Sequence, residues 1–94
     1  MANAQKTIKN HLWKHRQIMG YKQIEIAKKL NLKCSSMVSR WESGTAMPSG
    51  DNLIKLCLLY KTLPHELYYD LVKEFQYELF PQEERTITHS NNGP

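Results

Sequence analysis

Six side chains in this 94-residue chain could take part in metal binding or nucleophilic catalysis: His11, His15, His65, His89, Cys34 and Cys57. Zinc sites need two suitably spaced pairs of ligands, and no second pair completes the i, i+4 spacing of His11 and His15. A Cys–His nucleophile needs a pocket and an oxyanion site, for which a chain this small rarely has room. The sequence contains no glycine-rich phosphate loop. We therefore expect no enzyme activity, no metal and no cofactor.

The charged residues are distributed unevenly. Residues 1–47 contain nine Lys or Arg and two acidic residues, a balance of +7, whereas residues 48–94 contain four basic and seven acidic residues, a balance of −3. A strongly basic half indicates a polyanionic partner such as nucleic acid. On charge alone, the alternative is a solvated lysine-rich surface that has no partner.

Length and composition favour one small domain outside the membrane. The chain is 40% hydrophobic and 23% charged, which is enough to build a core. Its longest apolar run, residues 56–60, is far shorter than the ~20 residues of a transmembrane helix. No apolar signal segment follows the N-terminus, and two cysteines fit free thiols better than a disulfide scaffold. We expect a cytoplasmic protein.

Helices must position the candidate side chains, because apolar residues recur every three or four positions and do not alternate. Glycine, proline and polar turn residues between the apolar segments predict five helices, over about residues 7–19, 23–30, 35–43, a segment after Pro48-Ser49, and 62–79. Thr7 and Thr62 are the predicted N-caps of the first and last helices. We expect an arm at 1–6, a domain at 7–68, a helical extension at 69–80 and a flexible tail at 81–94.

The predicted core is formed by the apolar side of each helix. Its members are Ile8, Leu12, His15, Met19, Ile26, Ala27, Leu30, Val38, Trp41, Leu53, Leu56, Cys57 and Tyr60. His15 interrupts an otherwise apolar stripe, and we interpret it as a hydrogen-bonded core or boundary residue.

The second and third predicted helices are short and joined by about four residues, which is the length pattern of a helix-turn-helix. More specific are Ile8-x3-Leu12-x3-Arg16-x3-Gly20-x2-Gln23-x3-Ala27-x2-Leu30, then Val38-Ser-Arg-Trp-Glu-x-Gly44 and Pro48-Ser49. This pattern resembles the Cro and phage-repressor family of regulators over roughly residues 8–68. The resemblance implies an all-α, five-helix, repressor-like helix-turn-helix DNA-binding domain with the last helix extended, in a bacterial or phage protein.

In that family the third helix lies in the DNA major groove, where its first two residues and its sixth face the bases. The matching residues here are Ser35, Ser36 and Arg40, with Ser39 and Met37 beside them. A guanidinium fits guanine O6 and N7, so Arg40 is the strongest candidate for reading a base. The alternatives are a phosphate contact for Arg40, an N-cap role for Ser35 and a packing role for Met37.

The resemblance also implies phosphate contacts by Gln23, Lys22, Lys33, Cys34, Ser43 and Thr45. Gln23 is expected to bind a phosphate and brace the third helix; the alternative is an ordinary polar residue of a first turn. Arg16 and Glu42 match a partly buried ion pair that fixes the third helix against the first. The turn at 31–34 is one residue longer than the commonest spacing in the family.

We expect a sequence-specific double-stranded-DNA-binding regulator that represses transcription by occluding a promoter and binds paired half-sites as a homodimer. The last helix carries a wide apolar stripe, which either closes the core or forms the dimer interface and consists of Leu67, Tyr68, Leu71, Val72, Phe75 and Leu79. A rival hypothesis is an antitoxin or co-regulator whose C-terminal helix binds a protein partner. A second rival is a non-specific architectural or RNA-binding protein.

Overall fold

The computed structural model describes residues 7–81, and within that range the chain forms six helices and no strand. The helices are α1 Leu12–Met19, α2 Gln23–Lys29, α3 Ser36–Ser43, α4 Gly50–Tyr60, α5 Pro64–Leu67 and α6 Tyr69–Leu79. The all-α prediction is confirmed, whereas the prediction of five helices is wrong. The expected arm at 1–6 and the expected tail beyond residue 81 lie outside the described residues.

Helix α1 begins at Leu12 and not directly after Thr7, so the predicted N-cap is wrong. Residues 8–11, which we call the N-terminal brace, are not helical. The Ile8 N–H donates to the Gly44 carbonyl at 2.8 Å, at the end of α3. The brace is therefore held against a helix that is distant in sequence. The spacing of apolar residues in the sequence could not reveal this contact.

The predicted long last helix is interrupted at Tyr68, whose φ of −124° and ψ of 47° are not helical. The Leu67 carbonyl accepts a hydrogen bond from the His11 N–H at 2.8 Å and does not continue the helical ladder. The interruption allows both Leu67 and Tyr68 to be buried, at 0% and 3% exposure. Thr62 is not the N-cap, because α5 starts at Pro64, whose fixed φ suits a first helical position.

Helices α1 to α5, with Tyr68, enclose one hydrophobic core. Its buried apolar residues are Leu12, Ile26, Ala27, Leu30, Val38, Trp41, Leu56, Tyr60, Leu67 and Tyr68. Several predicted core residues are only partly buried, namely Ile8, His15, Met19, Leu53 and Cys57. Helix α6 contributes no buried residue. Among the helices that the structure describes, none is long and apolar enough to cross a membrane.

The connection between α2 and α3 is built around Asn31, which has a positive φ of 60°. Asparagine tolerates this left-handed conformation better than most residues do. The following Leu32 N–H donates to the Ala27 carbonyl at 2.8 Å, which ends α2 and turns the chain toward α3. Leu30 is buried in the core and Leu32 packs against it, so the first part of the longer connection is anchored on both sides of Asn31.

Candidate nucleic-acid interface

Helix α3 has one buried side and one exposed side. Val38 and Trp41 are 1% and 2% exposed and face the core. Ser36, Arg40 and Ser43 are exposed and lie at positions i, i+4 and i+7, which share one face of a helix. This face, which we call the α3 strip, therefore presents a guanidinium between two hydroxyl groups.

Three further candidates for base reading lie beside the α3 strip. Ser39 and Met37 are exposed on its two sides. Ser35 is partly exposed and occupies the N-cap position of α3, but its side chain makes no capping hydrogen bond. Its φ of −84° and ψ of 0° lie outside the extended region usual for N-caps, so the alternative capping role of this hydroxyl is not observed.

The Arg40 side chain is exposed, and among residues 7–81 no hydrogen bond or ion pair engages its guanidinium. A guanidinium offers five N–H donors in a planar fork that fits phosphate or the guanine edge. The Arg40 side chain is therefore available for an external anion or base.

The hydroxyl groups near the two ends of α3 already have partners within the protein. Ser43 Oγ and Thr45 Oγ1 donate to the Arg40 carbonyl at 3.1 and 3.3 Å. Ser36 Oγ lies 2.9 Å from Cys34 Sγ, and this contact lowers the pKa of the exposed Cys34 thiol. Ser43 and Thr45 would have to rotate their hydroxyl groups before donating to a phosphate, because each hydroxyl has one hydrogen.

A single carboxylate joins the first three helices. The Glu42 carboxylate accepts from Arg16 Nε at 2.6 Å, from Arg16 Nη2 at 3.1 Å and from Gln23 Nε2 at 2.9 Å. Arg16 Nη1 also donates to the Tyr21 carbonyl at 2.9 Å, between α1 and α2. Hydrogen bonding to Glu42 raises the pKa of Arg16 above its usual value. The ion pair expected from the resemblance is present, with side chains 9% and 7% exposed.

The candidate phosphate-binding residues of α2 lie at its beginning and just after its end. Lys22 precedes the helix and is exposed, while its backbone N–H donates to the Glu25 carboxylate at 2.7 Å. Gln23 braces α3 through Glu42, and its amide nitrogen keeps a second hydrogen that this bond does not use. Lys33 is exposed in the turn before α3.

The burial of Arg16 and Glu42 leaves the net charge of the basic half unchanged, because it withdraws one positive and one negative group from the surface. Both members of this ion pair are withdrawn from solvent. The exposed cations of residues 7–47 are Lys9, Lys14, Lys22, Lys28, Lys29, Lys33 and Arg40. Glu25 is the exposed acidic residue in the same range. A surface with this excess of cations attracts a polyanion over a distance of about one Debye length.

The role of Asn10 at the end of α3, and the close approach of Ile8 to Gly44, were not predicted from the sequence. The Asn10 amide nitrogen donates to the carbonyls of Trp41 and Glu42 at 3.1 and 3.3 Å, and its Oδ1 accepts from the Leu12 N–H at 3.0 Å. Gly44 has a φ of +83°, and a Cβ there would lie 2.4 Å from the Ile8 carbonyl oxygen. An asparagine inside a supposed first turn was a usable signal, because Asn prefers turns and helix starts.

Within the described range, no group of three or more His, Cys, Asp or Glu side chains could hold a metal ion.

Comparison with protein families gives a match to a family described as Helix-turn-helix over residues 14–67, which is more than half of the chain. No curated protein and no solved structure matches the chain significantly. The matched segment runs from α1 to the end of α5 and contains the whole of α2, α3 and the turn between them. The chain belongs to the Cro and phage-repressor type of helix-turn-helix proteins, which are DNA-binding transcriptional regulators.

Proposed function

We propose that the protein is a sequence-specific regulator that places α3 in the major groove of double-stranded DNA and represses transcription by occluding a promoter. The observation that carries this proposal is the exposed guanidinium of Arg40, which no group among residues 7–81 engages, on a helix whose other side is fixed in the core. Occlusion of RNA polymerase needs affinity and position but no catalytic group. In this role Arg40 contacts a guanine, with Ser35, Ser36, Ser39 and Met37 beside it.

The proposed phosphate contacts surround the α3 strip. Lys22, Gln23 and Lys33 would hold the DNA backbone at the two ends of α2. Ser43, at the end of α3, and Thr45, just after it, would do so once their hydroxyl groups release the Arg40 carbonyl. Such contacts set the register of the protein on the duplex but carry no sequence information. They also release counterions, so affinity should fall steeply with salt.

The test begins with selection of bound fragments from a pool of random DNA duplexes. The wild-type protein should enrich one sequence motif. Arg40→Lys keeps the charge but loses the fork, so we expect it to lose ~1–3 kcal/mol of preference at one base position with an unchanged salt slope. Lys33→Ala should weaken binding to all sequences and flatten the slope, whereas Lys55→Ala, on α4 outside the basic half, should change neither.

A result in which wild-type protein enriches no motif would overturn sequence-specific binding and favour the architectural or RNA-binding alternative. If a motif is enriched but Arg40→Lys and wild type prefer it equally, the assignment of Arg40 is wrong and α3 recognition must rest on other side chains.

We further propose that the protein binds paired half-sites as a homodimer through α6. None of the α6 residues is buried. Phe75 and Leu79 lie four positions apart on one face of the helix and are 48% and 67% exposed. Helix α6 packs against the core through Leu71 near its start, but its later residues Phe75 and Leu79 are exposed, so a covering surface would stabilise that part of a short helix. A second copy would also double the basic surface and match the two-fold symmetry of a palindromic site.

Sedimentation equilibrium tests the dimer. We expect a dimer at micromolar concentration that Phe75→Ser with Leu79→Ser converts to a monomer. Tyr77→Ser is the matched control, because Tyr77 is 57% exposed on the opposite side of α6. A monomer of the wild-type protein, both free and bound to a palindromic duplex, would refute the proposal.

The same exposed apolar residues on α6 also support the second candidate function, an antitoxin or co-regulator that binds a protein partner through this helix. The two candidates predict different behaviour of the purified chain. A dimerisation helix is covered in the isolated protein, whereas a helix kept for another protein leaves Phe75 and Leu79 exposed. Binding of a hydrophobic dye to the isolated monomer, abolished by the same double substitution, would favour the partner protein.

A further inference from the structure

The C-terminal end of the DNA-reading helix is held by one side chain from outside the helix-turn-helix. The last carbonyl groups of any α-helix have no partner within the helix. In α3, the Gly44 N–H donates to the Arg40 carbonyl and, at 3.2 Å, to the Trp41 carbonyl, and the Arg40 carbonyl also accepts from Thr45 N–H at 3.0 Å and from two hydroxyl groups. The Trp41 and Glu42 carbonyls accept from the amide nitrogen of Asn10 at 3.1 and 3.3 Å.

Asn10 is itself fixed by both of its ends. Its Oδ1 accepts from the Leu12 N–H at 3.0 Å, which ties it to the first turn of α1. Its nitrogen also lies 3.0 Å from the Ile8 carbonyl, so its two hydrogens are shared among three carbonyl groups. One residue therefore links the start of α1 to the end of α3. The neighbouring hydrogen bond from Ile8 N–H to the Gly44 carbonyl holds the same two parts of the chain together.

From this arrangement we infer that Asn10 is a positioning residue for DNA reading. It rests on the proposed function of α3 and acts through it, without touching DNA. The Glu42 carboxylate holds α3 against α1 and α2 by its buried side. Val38 and Trp41 are also buried in the core, and Asn10 adds hydrogen bonds that tie the last turn of α3 to the start of α1. The tilt of α3 decides whether Arg40 reaches a base edge in the required geometry.

The substitution Asn10→Ser separates the two roles of the side chain. A serine hydroxyl can still accept from the Leu12 N–H in an equivalent turn, but it is too short to reach the α3 carbonyls. Asn10→Asp also keeps the acceptor and places a carboxylate against those carbonyls. Thr62→Val is the control: it removes the hydrogen bond that Thr62 donates to the Glu66 carboxylate, in the connection between α4 and α5.

The measurement is the ratio of affinities for the selected motif and for random duplex, at a low temperature where circular dichroism shows each variant to be folded. We expect Asn10→Ser to lower this ratio about tenfold, which equals the loss of roughly one bidentate base contact. The affinity for random duplex should not change, because no cation is removed. Thr62→Val should leave the ratio unchanged, even if it lowers the melting temperature as much.

An unchanged ratio in folded Asn10→Ser would overturn the inference and leave Asn10 with a role in stability alone. If Asn10→Ser does not fold, the same affinity ratio is measured for Asn10→Asp. The added negative charge weakens binding to both duplexes alike, so it cancels in the ratio of the two affinities. Failure of the proposed function looks different, because then the wild-type protein itself would not distinguish the two duplexes.

Discussion

The ion pair between Arg16 and Glu42 provides the most direct test of what holds α3 in place. Glu42→Leu removes the acceptor of two hydrogen bonds from Arg16 and one from Gln23. Both charged side chains are at most one-tenth exposed, so the substitution leaves a guanidinium in a site that water barely reaches. Removing one partner of a buried pair costs about 3–5 kcal/mol.

We expect the lower end of that range, about 3 kcal/mol, because Arg16 keeps its bond to the Tyr21 carbonyl and a little contact with solvent. For a domain of this size, 1 kcal/mol shifts the melting temperature by roughly 4–8 °C. The single substitution should therefore lower the melting temperature by roughly 12–24 °C. A loss of about 3 kcal/mol is a large part of the free energy of unfolding of any small domain.

The double substitution Arg16→Met with Glu42→Leu should behave differently, because no charge is then left buried. Well-packed apolar replacements of ion pairs are often neutral or stabilising, so we expect the double variant to be more stable than either single one. Urea unfolding followed by circular dichroism, at several protein concentrations, measures all four stabilities. If Glu42→Leu cost less than 1 kcal/mol, or the losses simply added, the pair would not hold α3 as we infer.

Three further predictions concern residues in and beside the core. Gly44→Ala should unfold at lower urea concentration than Gly20→Ala, since both glycines have φ near +80° but only at Gly44 would a Cβ meet backbone atoms. Tyr68→Phe should stabilise the protein by about 1 kcal/mol at neutral pH, because the buried Tyr68 hydroxyl has no partner among the described residues. Burial also raises the pKa of Tyr68 to about 12, so stability should fall as pH rises from 10 toward 12, where the unfolded chain ionises first. Tyr68→Phe should flatten this alkaline loss in circular dichroism titrations, and the exposed Tyr77→Phe should not.

The helix-turn-helix could be predicted from the sequence because its determinants are local. Ile26, Ala27, Val38 and Trp41 are buried at the positions that helical periodicity assigns to them. Such spacing fixes which side of a helix faces inward, and the exposure of Arg40 follows from the burial of its neighbours. Bonds that the hydroxyl groups of α3 make within the protein were not predictable, because they depend on the rotation of single side chains.

The two wrong helix boundaries have one physical cause. In a helix starting at Thr7, the His11 N–H would donate to the Thr7 carbonyl, and in a helix continuing past Tyr68 the Leu67 carbonyl would accept from a later N–H. In the structure these two groups bond to each other at 2.8 Å. One hydrogen bond across 56 positions of sequence therefore withdraws a donor from one predicted helix and an acceptor from the other.

Apolar periodicity continues through both interruptions, so no local pattern could reveal them. The same bond places the N-terminal brace between α5 and the end of α3, where Asn10 meets the carbonyls of Trp41 and Glu42. A chain whose α1 began at Thr7 would carry Asn10 inside a helix, away from these carbonyls. The feature that ends both helices early is thus the one that allows Asn10, from outside the helix-turn-helix, to bind the C-terminal end of α3.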